Sequence, residues 1–300
     1  MDWPKAKNVL IIAFLLLDLY LAYLLFYVPG VGAMQTTLTD EDLEALIVLG
    51  KHFNVDLATR PQPMSVRPLP LLDIDKVSLD KTLATNLATR WLGAEAQGAT
   101  QEDGLLFTAG TKKISFSQDN PYFFTLEYAD TTPPPSQEDY SIQEAMADAQ
   151  NFLTEHLGGA VLQDYKVNMA VATPASAGSY VIEISRSNKG IPIFLDSYRL
   201  VVNNGLVTAF TAKQAAIGEA QRTSLPLVSA EQVVRRYLAR LGVPQEEEIT
   251  ILDLSLGYGV GVETGERQEI EPVWRFYLAG AEESEIFIPA AQVYWERPGN

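Results

Sequence analysis

The feature that most constrains this chain is a long apolar run over residues 9–28, in which Asp18 is the only charged side chain. At a rise of about 1.5 Å per residue, a helix of this length spans about 30 Å, which matches the hydrocarbon core of a bilayer. One acidic side chain at the centre of such a helix costs only about 3 kcal/mol on insertion scales. We therefore predict a single transmembrane anchor over residues 9–28, in contact with membrane lipid.

The charges on either side of the run set its orientation. Lys5 and Lys7 precede it, and no further Lys or Arg follows until Lys51. Because basic flanks stay on the cytoplasmic side, the sequence predicts a cytoplasmic segment at 1–8. The predicted location is the cell membrane, with a single pass and with the bulk of the chain outside the cytoplasm.

A cleaved signal peptide is the alternative reading of the same run. The small residues at 31–33 suit a cleavage site, which would release a chain that begins at Met34. The apolar run, however, exceeds the roughly 7–15 residues of an ordinary signal peptide. This length favours the uncleaved anchor.

Composition narrows the classes of function that the rest of the chain can have. The 300 residues include no cysteine and carry a formal net charge of −16. The negative charge argues against nucleic acid as a partner, because such binding depends on Lys and Arg contacts with phosphates. The lack of cysteine excludes disulfides, thiolate nucleophiles and cysteine-ligated metal.

A proline run at 133–135 is the best candidate for a domain boundary, because consecutive prolines favour a stiff extended spacer. It predicts a first extracytoplasmic domain at 38–131 and a second at 137–300. Ser141 and Ser229 each begin a capping-box pattern that opens an amphipathic helix, and strand-like runs follow both. The second domain therefore divides into two helix-then-meander modules, at about 137–223 and 224–300.

The predicted fold class is α+β: one transmembrane helix, followed by antiparallel β-meanders packed with helices. The expected helices begin near Thr39, Ser78, Ser141 and Ser229. Among the expected strands are separate ones at 191–194 and 197–203, and one at 206–212. An Asn-Gly pair at 204–205 predicts a tight hairpin, since both residues tolerate positive φ.

No group of residues supports catalysis, a metal or a cofactor. The two histidines, His52 and His156, are far apart in the chain, and both suit helix C-terminal ends. The glycines at 257–261 lack the spacing of a dinucleotide-binding loop. The acidic pair Asp73 and Asp75 is one of many expected by chance. The sequence therefore predicts a protein that is not an enzyme.

Asp18 is the one ionisable residue with a predicted role. A carboxyl group in the middle of an apolar helix can hydrogen-bond to a polar group on a neighbouring helix. Ala22 lies one turn further along the same face, where a small side chain permits close approach. We predict a helix–helix contact through Asp18 and Ala22.

Several motifs together resemble the YycI (WalI) family, which is related to YycH. They are the start Met1-Asp2-Trp3 with Lys5 and Lys7, the Phe-Leu-Leu-Leu of the apolar run, Gly190-Ile-Pro-Ile-Phe, Ser229-Ala-Glu-Gln, Pro272-Val-Trp-Arg and Ile286-Phe-Ile-Pro-Ala. The resemblance spans nearly the whole chain. The chain departs from the family pattern at Asp18, where the family is expected to have Asn.

The resemblance implies a non-enzymatic regulator of the YycG/WalK sensor histidine kinase. Such a protein acts together with YycH and contacts the transmembrane helices and the sensor domain of the kinase. It modulates autokinase activity, with inhibition as the default expectation, and in this way it controls cell-wall metabolism. Two other classes stay open from the sequence. One is an anchored or secreted wall-active hydrolase, and the other is a ligand-binding sensor module.

Overall fold

The computed structural model describes residues 14–21, 34–35, 39–60, 65–66, 68–101, 104–137, 139–173, 176–260 and 269–294. The helices are α1, of which residues 14–21 are described, α2 (Asp40–His52), α3 (Lys81–Leu92), α4 (Ile142–Leu157) and α5 (Ala230–Leu241). The strands are β1 (Met34–Gln35), β2 (Val55–Leu57), β3 (Ser65–Val66), β4 (Leu69–Asp75), β5 (Gln97–Gln101), β6 (Gly104–Ala109), β7 (Lys112–Asn120), β8 (Phe123–Asp130), β9 (Tyr165–Ala172), β10 (Ser179–Asn188), β11 (Ile191–Asn203), β12 (Leu206–Leu225), β13 (Ile249–Val260), β14 (Glu269–Ala279) and β15 (Glu285–Pro289).

The predicted fold class is wrong. The protein is mostly β-sheet, and no helix in the described parts of the chain is long and apolar enough to cross a membrane. Eight residues of the predicted anchor, 14–21, are described, and they form α1. The rest of the predicted anchor, at 9–13 and 22–28, lies outside the described residues.

Two strands are much longer than the residue pattern indicates, which accounts for the excess of sheet. β11 is continuous where the pattern predicts separate strands at 191–194 and 197–203. β12 extends to Leu225 where the pattern ends a strand at 212. Along each of these strands the neighbouring strand changes, so the backbone stays hydrogen-bonded beyond the point where the alternation of apolar and polar residues ends.

Thirteen of the described strands form one connected sheet that has two wings, and β1 and β3 form a separate two-stranded sheet. The first wing is antiparallel, in the order β5-β6-β7-β8-β12-β11-β10-β9. The second wing has the order β12-β4-β14-β13, with β15 beside β14 and β2 beside β13. Both long strands belong to both wings, so the wings are covalently continuous.

Each wing has its own hydrophobic core against a pair of helices. The first wing packs against α3 and α4, and the second wing packs against α2 and α5. The predicted capping boxes are confirmed, since Ser141 and Ser229 accept hydrogen bonds from the backbone amides of Glu144 and Gln232. These caps fix the helix starts that bring the apolar faces onto the sheet.

The faces of the two wings that point away from the helices meet each other in the interior. In β14, Trp274 lies on the helix side, where its indole nitrogen donates to the Val228 carbonyl oxygen. The next residue, Arg275, points the other way and reaches Glu183 of the first wing. The alternation of a strand thus sends one residue into the core and the next between the wings.

Hydrogen bonds cross the predicted domain boundary. β8 precedes the proline run and β12 follows it, yet the two strands pair from Ala209 with Ala129 to Ala215 with Phe123. β4 likewise pairs with β12 and β14. The predicted divisions at 38–131, 137–300, 137–223 and 224–300 stay predictions.

Candidate functional site

The most concentrated chemistry in the described residues is a group of charged side chains between the two wings, which we call the charged cluster. It consists of Glu183 of β10, Arg199 of β11, Asp253 of β13, Arg275 of β14 and Glu285 of β15. Five different strands contribute one residue each. Glu183 and Arg275 are fully buried, so the cluster has a closed centre.

Glu183 is the hub of the cluster, because its two carboxylate oxygens receive four hydrogen bonds. Oε2 accepts from Nε and Nη2 of Arg199, at 3.0 and 2.7 Å. Oε1 accepts from Nη1 of Arg275 and from the side-chain amide of Asn168 at 2.8 Å. A carboxylate that is buried this deeply is stable only when its charge is paired and its lone pairs are used.

Arg275 is held on several sides by groups of the second wing. Its Nη2 donates to Asp253 Oδ2 at 3.3 Å and to Ser255 Oγ at 3.2 Å. Its guanidinium lies 4.2 Å from the centre of the Phe194 ring, which is a cation–π distance. The side chain therefore has one orientation, fixed by both wings.

The charges of this region balance. Lys213 lies 3.5 Å from Glu285, so three cations face the three carboxylates of Glu183, Asp253 and Glu285. Burial by itself would raise the pKa of Glu183, but the charges of Arg275 and Arg199 and the hydrogen bonds overcome it and lower the pKa to about 2. Glu183 is therefore ionised at all ordinary pH values, which suits a fixed crosslink rather than proton transfer near neutral pH.

A second buried carboxyl group lies where β11 passes from one wing to the other. Asp196 is 4% exposed and accepts a hydrogen bond from the Tyr165 hydroxyl at 2.6 Å. Burial raises the pKa of Asp196, and this effect is only partly offset by the hydrogen bond from Tyr165 and by the charge of the half-exposed Arg186, 3.7 Å away. At the same point of β11, Ser197 Oγ donates a hydrogen bond to the Phe194 carbonyl oxygen.

The described part of α1 is a different kind of surface. Its large apolar side chains are all about half exposed or more, from Leu17 at 48% to Leu19 at 65%. Asp18 is exposed on the same helix. Ala22, Lys5 and Lys7 lie outside the described residues, so the predicted Asp18–Ala22 contact, the orientation, the membrane location and the lipid contact stay predictions.

The structure places the other residues considered from the sequence in separate, structural settings. His156 stacks on Phe152 at 4.2 Å and lies 4.8 Å from the Trp91 ring. His52 contacts Phe53 at the end of α2. In the described ranges, no group of three or more His, Cys, Asp or Glu residues could hold a metal ion.

The glycines at 257–261 begin within a strand and not in a loop. Gly257 belongs to β13, and a Cβ there would lie 2.4 Å from the Phe194 ring. The strand therefore needs glycine for the close approach of β11. Asp73 lies on β4, where it accepts a hydrogen bond from the Gln221 side chain at 3.1 Å. Residues 261–268, which complete the glycine segment, lie outside the described part.

Sequence reasoning missed the charged cluster. Glu183 and Arg275 are 92 positions apart, and no motif links them. A usable signal was present, because each is a single charge within an apolar run of its strand, Val-Ile-Glu-Ile and Val-Trp-Arg-Phe. Charged residues are almost never fully buried unless they are paired, so two such strands predict that the charges meet.

No family model and no curated protein matches the chain. A crystal structure of an uncharacterized protein from Eubacterium rectale ATCC 33656 is similar, with a TM-score of 0.43 and 9% sequence identity, over 85% of this chain and 89% of that chain.

Proposed function

We propose that this protein regulates other proteins by binding them, and that α1 is one of its contact elements. The observation that carries the proposal is the exposure of α1, whose described residues present large apolar side chains that are about half exposed or more. Burying one such side chain fully is worth about 1.5–3 kcal/mol, so a partner that covers several of them gains a large driving force. An apolar surface of this kind marks a contact site.

Asp18 supplies specificity to that contact. It is the only charged residue among the described residues of α1, and it is exposed. A buried interface would require a hydrogen-bond donor opposite its carboxyl group, because an unpaired carboxylate is costly to bury. The partner we propose is therefore a helix that carries a polar donor, and Ala22 would permit it to approach closely.

The identity of the partners is proposed from the sequence motifs. On the resemblance to the YycI family, we propose that the partners are the YycG/WalK sensor histidine kinase and YycH, and that binding inhibits autokinase activity. The acidic charge of the chain supports a protein partner over nucleic acid. The charged cluster supports a binding role over a hydrolytic one, because its carboxylates are engaged by arginine and lysine side chains.

Co-purification from membranes tests the proposal. The full-length protein, the Asp18→Leu variant and a matched Glu155→Leu variant on the exposed side of α4 would each be expressed with the tagged kinase and with YycH. We expect the wild type and Glu155→Leu to retain the kinase and Asp18→Leu to lose most of it, with autokinase activity rising accordingly. Equal recovery by all three variants would contradict the role of Asp18, and no recovery by any of them would contradict the partner.

A further inference from the structure

Three loops meet at one end of the first wing and border an open pocket of about 590 Å³, which we call the three-loop pocket. It is lined by residues 136, 137, 139 and 140 between β8 and α4, by residues 177 and 178 between β9 and β10, and by Asn204 in the β11–β12 turn. Its volume lies within the range of small-molecule sites, about 300–1,000 Å³. Loops that are held by strands and a helix are a common setting for such a site.

Tyr140 lies at the base of the three-loop pocket and ties the surrounding elements together. Its hydroxyl donates to Asp148 Oδ2 of α4 at 2.6 Å and accepts a hydrogen bond from the backbone amide of Gly205. Its carbonyl oxygen accepts a hydrogen bond from the Tyr180 hydroxyl of β10 at 2.9 Å. These bonds join the connector, α4, the β11–β12 turn and β10, so the base of the pocket has a fixed shape.

The polar side chains around the pocket are not used by the fold. Ser136, Gln137 and Asp139 are exposed, and their side chains make no hydrogen bond or ion pair with any residue that the structure describes. Asn204 Oδ1 is buried and likewise has no hydrogen-bond partner among the described residues. A few convergent polar groups of this kind are what orients a ligand in a small-molecule site.

Asp139 provides the charge of the pocket. It is the only charged residue among the described residues that line it. Its φ of 62° is in the left-handed region, which Asp and Asn adopt more readily than most other residues. Because its carboxylate has no partner in the described part of the chain, it is available to a cationic donor, with which carboxylates form their strongest hydrogen bonds.

The segments that build the pocket contain no lysine or arginine. None occurs within residues 131–165, 167–185 or 200–212. Lys166 and Arg186, which interrupt the first two of these segments, lie at the other end of the β9–β10 ladder, where Arg186 pairs with Tyr165. The pocket lies at the end where Ala172 pairs with Tyr180, six residues away along each strand.

The cations at the pocket end of the sheet lie several strands away. Lys112 and Lys113 are on β7, and β8 and β12 separate β7 from β11 in the ladder. Lys112 pairs with Asp130 across the β7–β8 ladder and interacts electrostatically with its carboxylate. Arg90 belongs to α3, which packs over β6 and β7. The pocket is therefore complementary to a ligand that carries a positive charge.

We propose that the three-loop pocket binds an amino sugar, whose protonated amine pairs with Asp139 and whose hydroxyl groups bond to Ser136 and Gln137. One carboxylate among neutral polar groups suits a ligand with one positive charge and several hydroxyl groups better than it suits a polyamine. An aromatic amine fits less well, because Tyr140 is only 6% exposed and offers little ring surface for stacking. The inference is independent of the proposed function, since none of the lining residues belongs to α1.

Saturation-transfer NMR titrations with the full-length protein test this directly. The ligands are glucosamine, glucose, which lacks the amine, and N-acetylglucosamine, whose nitrogen carries no charge. At about pH 6 a free amine is protonated. We expect saturable binding of glucosamine and at least about tenfold weaker binding of the other two sugars, because they cannot form the charge-assisted hydrogen bond to Asp139.

Two variants locate the binding. Asp139→Asn removes the charge and keeps a residue that tolerates positive φ. We expect it to bind glucosamine at least about tenfold more weakly, so that it no longer distinguishes glucosamine from glucose. Gln137→Ala removes an exposed side chain that the fold does not use, and it should weaken glucosamine binding about threefold or more. Asp56→Asn, which is exposed on β2 of the second wing, is the matched control for charge and should bind as the wild type does.

Several results would overturn the inference. They are no saturable binding of glucosamine to the wild type, equal binding of the three sugars, or wild-type affinity for glucosamine in Asp139→Asn or in Gln137→Ala. Far-UV circular dichroism of both variants should match that of the wild type, because both side chains are exposed and unbonded. Neither variant alters α1, so the co-purification experiment with Asp18→Leu reports on the proposed function separately.

Discussion

Replacing Glu183 with Gln should destabilise this protein far more than the loss of an ordinary ion pair. The substitution keeps the shape of the side chain but leaves the guanidinium of Arg275, which is fully buried, without its main counter-charge. Removing one partner of a buried ion pair costs about 3–5 kcal/mol. The difference between the usual pKa of 4.5 and about 2 for Glu183 independently corresponds to about 3 kcal/mol.

Urea denaturation at pH 7, followed by circular dichroism, measures this effect. The matched control is Glu231→Gln, which removes the exposed ion pair with Arg235 at 2.7 Å on α5. That change should cost less than about 1 kcal/mol, because exposed pairs contribute little. The double variant of Glu183→Gln with Arg275→Met should regain part of the lost stability, since it leaves no unpaired buried cation at the centre of the charged cluster.

The pH dependence of the same variant gives a second check. Because the pKa of Glu183 is lower in the folded state than in the unfolded state, its stabilising contribution is present above about pH 4.5 and is lost as the pH falls toward about 2. The difference in free energy of unfolding between the wild type and Glu183→Gln should therefore narrow over that pH interval. A gap of less than about 1 kcal/mol at pH 7, or one that does not narrow on acidification, would refute this account of the charged cluster.

Three further predictions concern other parts of the fold. Asp196→Asn should be at least as stable as the wild type at pH 8, and its advantage in melting temperature should shrink as the pH falls toward about 4. The reason is that burial raises the pKa of Asp196, and a carboxyl group whose pKa is raised by folding costs stability as the pH rises. Ser229→Ala should lower the free energy of unfolding in urea by about 1 kcal/mol, because it removes the capping box of α5. Gly257→Ala should lower the free energy of unfolding by about 1–3 kcal/mol in the same assay, because the new Cβ would clash with the Phe194 ring. The control is Gly159→Ala, whose Cβ would meet only one methyl group at 3.9 Å, and it should cost much less.

Local features of this fold were predictable because their causes lie within a few residues. The caps at Ser141 and Ser229 depend on a side chain three positions away. The hairpin at 204–205 follows from residues that tolerate positive φ, and both have it in the structure. These signals depend on backbone geometry alone and need no knowledge of what packs against them.

The sequence by itself determined the helix caps, the antiparallel hairpins and the acidic character of the chain. Only the tertiary structure decided that β8 pairs with β12, that β11 and β12 serve both wings, and that Glu183 meets Arg275. The physical reason is that strand pairing and charge pairing join residues far apart in the chain, so no local pattern encodes which partners meet. A fully buried charge is stable only through such a distant partner, which is why the charged cluster became visible only in the folded chain.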